Sequence, residues 1–195
     1  MTGGTKLAPP GRVPLINPAN ILTALRMLLV PVFVVLQVLA QPDQTHWQMA
    51  ACLTFMTASA TDVVDGWIAR RYGLITSFGK IADPIADKAL TGTALVLLSA
   101  YGQLPWWVTV TILAREWGVT ALRFWVIRYG VMAASRGGKL KTMLQIAAIT
   151  WYLWPMPAAL VPVGPWLMGA AVIATVVTGL DYALRALRLR RAGTA

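Results

Sequence analysis

Four aspartates carry the densest concentration of chemistry in this sequence. Asp62, Asp65, Asp83 and Asp87 are four of the seven acidic residues, and they fall within 26 positions. Asp62 and Asp65 are three apart and Asp83 and Asp87 four apart, so on helices each pair projects from one face. The stretch between them contains Gly73 and Gly79 and can reverse the chain, bringing the two pairs together. Carboxylates gathered in this way repel one another unless cations neutralise them. A ligand set made only of oxygen selects a hard divalent ion, Mg²⁺ or Mn²⁺. Two such ions could bridge a diphosphate and stabilise the charge that develops as a phosphoryl oxygen is displaced. A structural reading competes for any single member. Asp83, followed by Pro84, could cap a helix, and Asp62 could pair with a nearby arginine. The spacing of all four together favours metal.

Composition removes much other chemistry. His46 is the only histidine, which excludes His-cluster metal sites and any triad with a histidine base. Cys52 is the only cysteine and lies in an apolar run, so it forms no disulfide within the chain and reads as core packing. Carboxylates, amines and guanidinia are what remain. Lys and Arg outnumber Asp and Glu by 17 to 7, a balance that suits anionic lipid headgroups or phosphorylated substrates. The basic residues fall between long apolar runs rather than along one polar surface, which argues against nucleic acid as a partner.

The elements that must position these groups are membrane spans. Hydrophobic residues make up 57% of the chain and charged ones only 12%, an excess that asks for lipid as solvent. Apolar runs of the length that crosses a bilayer occur at about 21–40, 47–69, 81–101, 105–127, 142–162 and 165–184, which predicts an all-α integral membrane protein with six transmembrane helices. Asn17 before Pro18 supplies a helix start, with Asn as cap and Pro at the first helical position. Gly102, Gly130 and Gly164 mark breaks, and Pro155, Pro157 and Pro162 are expected to kink or shorten the fifth span. Residues 1–16 are rich in Pro and Gly and read as a flexible cytosolic tail, residues 17–190 as the membrane domain, and 191–195 as a second cytosolic tail.

A carboxylate inside a span costs about 2.5–3.5 kcal/mol on insertion scales, so an intramembrane acid is a functional candidate by default. The connections also sort by charge. Segments 41–46, 102–105 and 162–165 contain no Lys or Arg, whereas Arg70, Arg71 and Lys80 lie in the second connection. Arg128, Arg136, Lys139 and Lys141 flank the fourth, and Arg185, Arg188, Arg190 and Arg191 follow the last span. The positive-inside rule then places both termini and the aspartates on the cytoplasmic side. Trp47, Trp106, Trp107 and Trp166 fall at the opposite ends, as an interfacial belt would have them.

Around the aspartates the sequence reads Asp62, two residues, Asp65, Gly66, two residues, Ala69, Arg70, eight residues, Gly79, three residues, Asp83, three residues, Asp87. This resembles the signature of the CDP-alcohol phosphotransferase family, D-x-x-D-G-x-x-A-R-x8-G-x-x-x-D-x-x-x-D, at every fixed position. Small residues at Gly66, Ala69 and Gly79 would let a nucleotide approach the helix backbones closely, and Arg70 offers a planar fork for a phosphate. The resemblance implies a six-span membrane enzyme with its site open to the cytoplasm, and a homodimer. Asp62, Asp65 and Asp83 would hold two divalent ions, with Asp87 as a further ligand or the general base. Gly66, Ala69, Arg70 and Gly79 would line the pocket for the cytidine diphosphate of a CDP-activated lipid. An ordinary carboxylate is a weak base, so Asp87 alone would be insufficient without metal close to the attacking hydroxyl.

Outside the signature, Asn20, Thr23 and Arg26, then Arg115 with Glu116, Arg123, and the run S-R-G-G-K-L-K-T from Ser135 to Thr142, look like the bacterial members that join CDP-diacylglycerol to glycerol 3-phosphate. That likeness implies a bacterial cytoplasmic membrane. It puts Asn20 and Thr23 at the CDP-lipid and Arg26, Arg115, Arg123, Lys139 and Lys141 at the acceptor's phosphate. Buried arginines are costly unless paired or bound to an anion. In the bland alternative Arg115 pairs with Glu116 or another acid, while the lysines fix topology or touch the headgroups of membrane lipids. Other acceptors are inositol phosphate, or phosphatidylglycerol to make cardiolipin. A cation transporter would also carry intramembrane acids and kinked helices, but the acids here lie near the cytoplasmic ends of their spans and the two halves show no repeat.

Overall fold

The computed structural model describes residues 17–40, 44–72, 76–126 and 136–193. Within them the regular structure is six α-helices: α1 Pro18–Leu39, α2 Thr45–Tyr72, α3 Ser77–Ala100, α4 Trp106–Val126, α5 Arg136–Leu153 and α6 Val163–Gly193. The 1–16 tail, Gly73, Arg128, Gly130 and Ser135 lie outside the described residues, as do the side chains of Ala69, Arg70 and Arg123 and the surroundings of Gly79.

Local sequence accounts for the helix ends. Asn17 is the extended N-cap of α1, its side chain accepting the amide of Asn20, and Pro18 follows at the first helical position, where its missing N–H is no loss. α3 ends in a Schellman turn. Gly102 takes φ 71°, its amide donates to the Ser99 carbonyl, and that of Gln103 donates to Leu98, satisfying carbonyls the helix leaves open. α5 stops at Leu153, just ahead of Pro155 and Pro157, so the fifth element is shortened as its prolines predict. It also begins six residues before the expected run, because Arg136 to Lys141 extend the helix on its charged side.

α1 packs mainly on α2 and then on α3, while α6 gathers α4 and α5, and the halves meet through α2 with α5 and α3 with α4. The shared core runs from Phe33 through Phe55, Leu95, Leu98, Ile112 and Ile149 to Met168. Ala51, Ala58, Ala94, Ala148 and Ala171 in that core let helices approach closely. Cys52 is fully buried, its thiol donating to the Thr150 carbonyl of α5 at 3.7 Å, which bears out its reading as core packing. Ser99 and Thr109 share a buried hydrogen bond of 2.7 Å between α3 and α4.

Asn20–Leu39 and Val163–Arg190 are long and apolar enough to cross a membrane by length and composition. The other four helices alternate apolar stretches with charge, as at Asp62 and Asp65 in α2 or Arg115 and Glu116 in α4. α2, with 28 residues, is about 42 Å long, more than the hydrocarbon thickness of a bilayer. Large apolar side chains point outward on every helix, among them Leu28, Leu53, Val96, Phe124, Met143 and Ile173.

Candidate active site

The aspartate pairs stand where the sequence places them, at the end of α2 and the start of α3, and a third element completes the group. The first turns of α1 present Asn20, Thr23 and Arg26, spaced by three and so on one face. Thr23 Oγ1 donates to Asp83 Oδ1 at 2.6 Å. Thr76, just before α3, donates to Asn20 Oδ1 at 2.8 Å. Arg26 is fully buried. Its Nη1 donates to Asp62 Oδ1 at 2.5 Å and its Nη2 to Asp65 Oδ2, so one guanidinium spans both carboxylates of α2. Its Nε is buried without a hydrogen-bond partner. Asp65 is buried, whereas the Asp62 side chain keeps 42% of its surface exposed. Asp62 and Asp83 both lie within electrostatic reach of Asp65, which brings the two pairs into one cluster.

A second charged group lies across α4, α5 and α6. Glu116 Oε1 accepts from Arg115 Nη1 at 3.2 Å and from Lys141 Nζ. Arg115 Nη2 donates to Thr178 Oγ1 at 2.9 Å, and its guanidinium sits 5.8 Å from the ring centre of Tyr182. Asp87 lies within electrostatic reach of both groups, of Asp62 and Arg26 in the first and of Glu116 and Lys141 in the second.

Sequence-derived candidates are therefore partly assembled. The four aspartates, Asn20, Thr23, Arg26, Arg115 and Lys141 share one charged region, Gly66 lies beside Asp65 on α2, and Lys139 is exposed on α5. Arg26, expected at the acceptor's phosphate, has both terminal nitrogens on aspartates. Glu116 appears in the sequence only as a possible partner for Arg115. A carboxylate beside an arginine inside an apolar run was the available signal that it holds cations.

The donor chemistry and charge suit a divalent cation. Among the described side chains of these two groups, Asp62, Asp65, Asp83, Asp87 and Glu116 face Arg26, Arg115 and Lys141, leaving two negative charges uncompensated. The donors are not drawn together on one point, however. Among the described residues no set of three or more His, Cys, Asp and Glu side chains forms a ready-made metal site. The Arg26 guanidinium stands between two of the carboxylates that a metal would use.

The family model for CDP-alcohol phosphatidyltransferase matches residues 16–177. The chain belongs to that family. It is 50% identical over 178 residues to a probable phosphatidylglycerophosphate synthase of Mycobacterium tuberculosis (strain ATCC 25618 / H37Rv), a match covering 91% of this chain and 85% of the relative. It is 37% identical over 180 residues to the CDP-diacylglycerol–glycerol-3-phosphate 3-phosphatidyltransferase of Bacillus subtilis (strain 168), covering 85% and 93%. The enzyme of the same name from Escherichia coli (strain K12) is 37% identical over 172 residues, covering 85% and 92%. Family membership makes the chain a transferase, and the matched region takes in the aspartates together with Arg115, Glu116 and Lys141.

Proposed function

We propose that this chain transfers a phosphatidyl group from CDP-diacylglycerol to glycerol 3-phosphate, giving phosphatidylglycerophosphate and CMP in phospholipid biosynthesis. The observation that carries the reading is the place of Asp87, within electrostatic reach of both the aspartate cluster and the Arg115–Glu116–Lys141 group. One side suits a diphosphate held through cations, and the other suits an anionic acceptor. The names of the relatives specify the same two substrates.

In this reading the 1-hydroxyl of glycerol 3-phosphate attacks the β-phosphorus of the CDP-lipid. The bond from that phosphorus to the oxygen bridging it to the α-phosphate breaks, and CMP leaves with the bonding pair. Asp87 accepts the hydroxyl proton. Asp62, Asp65, Asp83 and Asp87 would hold Mg²⁺ or Mn²⁺, two ions in all, which when bound supply charge neutralisation at the diphosphate and a more acidic hydroxyl. Thr23 fixes Asp83 through its hydroxyl, Asn20 accepts from Thr76, and Asn20, Thr23, Gly66, Ala69, Arg70 and Gly79 would line the CDP-lipid pocket. Lys141, Arg115, Lys139 and Arg123 receive the acceptor's phosphate. Arg26 serves it as well when a phosphate oxygen replaces an aspartate as its partner.

The reading places the protein in a bacterial cytoplasmic membrane as a homodimer, with six spans, both termini and the site on the cytoplasmic side. The outward apolar side chains support lipid as the surrounding solvent. Trp106, Trp107 and Trp166 are exposed at the helix ends opposite the aspartates, where an interfacial belt belongs. Helices longer than the hydrocarbon core account for the charged ends of α2 and α6. The test is an acceptor panel. Purified protein with CDP-diacylglycerol and Mg²⁺ is given glycerol 3-phosphate, inositol 1-phosphate or phosphatidylglycerol, and the lipid product is identified by mass spectrometry. Phosphatidylglycerophosphate is expected from the first alone. Turnover with inositol phosphate but none with glycerol 3-phosphate would overturn the acceptor, and absence of CMP release with every acceptor would overturn the reaction.

A further inference from the structure

Lys141 is only 4% exposed and sits within electrostatic reach of the Arg115 guanidinium, a like charge that repels it. Two cations held together at low exposure need a shared anion. Glu116 supplies it, one carboxylate oxygen accepting from both. Arg115 is otherwise fixed by Thr178 and by Gly179, where an added Cβ would stand 3.0 Å from the Arg115 Cγ. Its Nε is buried and has no hydrogen-bond partner, so this cation retains an unused donor.

We propose that Glu116 is the resident counter-anion of the acceptor-phosphate pocket, holding Arg115 and Lys141 in place when the pocket is empty and competing with the incoming phosphate for them. The inference rests on the acceptor reading given above. An anion that bridges two cations has the chemistry of a phosphate oxygen, and Glu116 does so within electrostatic reach of Asp87, the residue assigned to the attacking hydroxyl. With Glu116 ionised, the three groups carry one net positive charge. Without that charge they carry two and attract a dianion more strongly. Glu116 is thus a positioning residue that trades acceptor affinity for stability of the empty site.

The experiment compares wild type, Glu116→Gln and Glu116→Asp in detergent. Glutamine keeps the shape and removes the charge, whereas aspartate keeps the charge and shortens its reach. For Glu116→Gln the expected result is a lower thermal midpoint without ligand, a larger upward shift of that midpoint on adding inorganic phosphate, and a KM for glycerol 3-phosphate reduced roughly ten-fold. The KM for CDP-diacylglycerol should be unchanged. Glu116→Asp should fall between the two proteins, and it carries the same readings if the glutamine variant does not fold. An unchanged or raised KM for glycerol 3-phosphate, or a phosphate-induced shift no larger than in wild type, would overturn the proposal. The phosphate shift needs no turnover, so it separates failure of the Glu116 role from failure of the assigned reaction, which would show as wild type that binds phosphate yet releases no CMP.

Discussion

Replacing Arg26 with Gln should expose how the aspartate cluster is held together. The two contacts are unequal. Nη2 serves Asp65, whose side chain is 4% exposed, and leaving such a carboxylate unpaired costs about 3–5 kcal/mol. Nη1 serves Asp62, whose side chain is 42% exposed, and a contact open to solvent is worth about 0–1 kcal/mol. Because Arg26 Nε is already buried without a partner, part of the native gain is offset, and the lower end, about 3 kcal/mol, is the expected loss. For a chain of this size that corresponds to a fall of about 6–12 °C in the thermal midpoint. Asp62→Asn, which removes only the exposed contact, should lower it by a few degrees at most. Mg²⁺ should recover more stability in Arg26→Gln than in wild type, because a divalent ion that binds only the folded protein stabilises it by about 2.7 kcal/mol at a hundred times its Kd. The assay is thermal unfolding in detergent with Mg²⁺ titrated from zero. Equal losses for Arg26→Gln and Asp62→Asn, or no added benefit from Mg²⁺, would show that Arg26 does not hold the aspartates together.

Asp62→Asn, Asp65→Asn, Asp83→Asn and Asp87→Asn should each remove most turnover while the protein stays inserted and folded, as measured by CMP release against size-exclusion behaviour. Near wild-type rates in three of the four would refute the carboxylate site. Lys141→Met should raise the KM for glycerol 3-phosphate roughly ten-fold, the value of one charge-assisted contact, with little change in that for CDP-diacylglycerol. Equal loss for both substrates would make Lys141 a folding residue. Cysteines placed by Gln44→Cys and Gln103→Cys should react with an impermeant reagent added to intact cells and one placed by Tyr72→Cys should not, the reverse pattern overturning the orientation.

The sequence made some of this visible and not the rest, for physical reasons. The start of α1 was legible because an Asn cap and a Pro at the first helical position act within four residues. The end of α5 was legible because Pro155 and Pro157, close together, each remove an amide donor and crowd the preceding turn. Helix ends on the charged side were not. Hydropathy stops at the last apolar residue, while backbone hydrogen bonding continues through Arg71 and Tyr72 of α2 and through Arg190 of α6. The pairing of aspartates within each helix followed from spacing. Their partner Arg26 lies 36 positions before Asp62, and no local pattern connects them. Glu116 was legible as a neighbour of Arg115, but its second partner, Lys141, comes from the next helix and is visible only once α4 and α5 are packed.

If the carboxylate cluster runs a metal-dependent transfer from a CDP-lipid to glycerol 3-phosphate, turnover needs the acceptor and the cation together. The most direct measurement follows CMP release by purified protein from CDP-diacylglycerol, with glycerol 3-phosphate and Mg²⁺ each present or withheld and EDTA added and then overcome. CMP should appear only when both are present, in step with phosphatidylglycerophosphate, stop with EDTA and resume with Mg²⁺ or Mn²⁺. Release of CMP at the same rate without acceptor, or turnover indifferent to EDTA, would contradict the account.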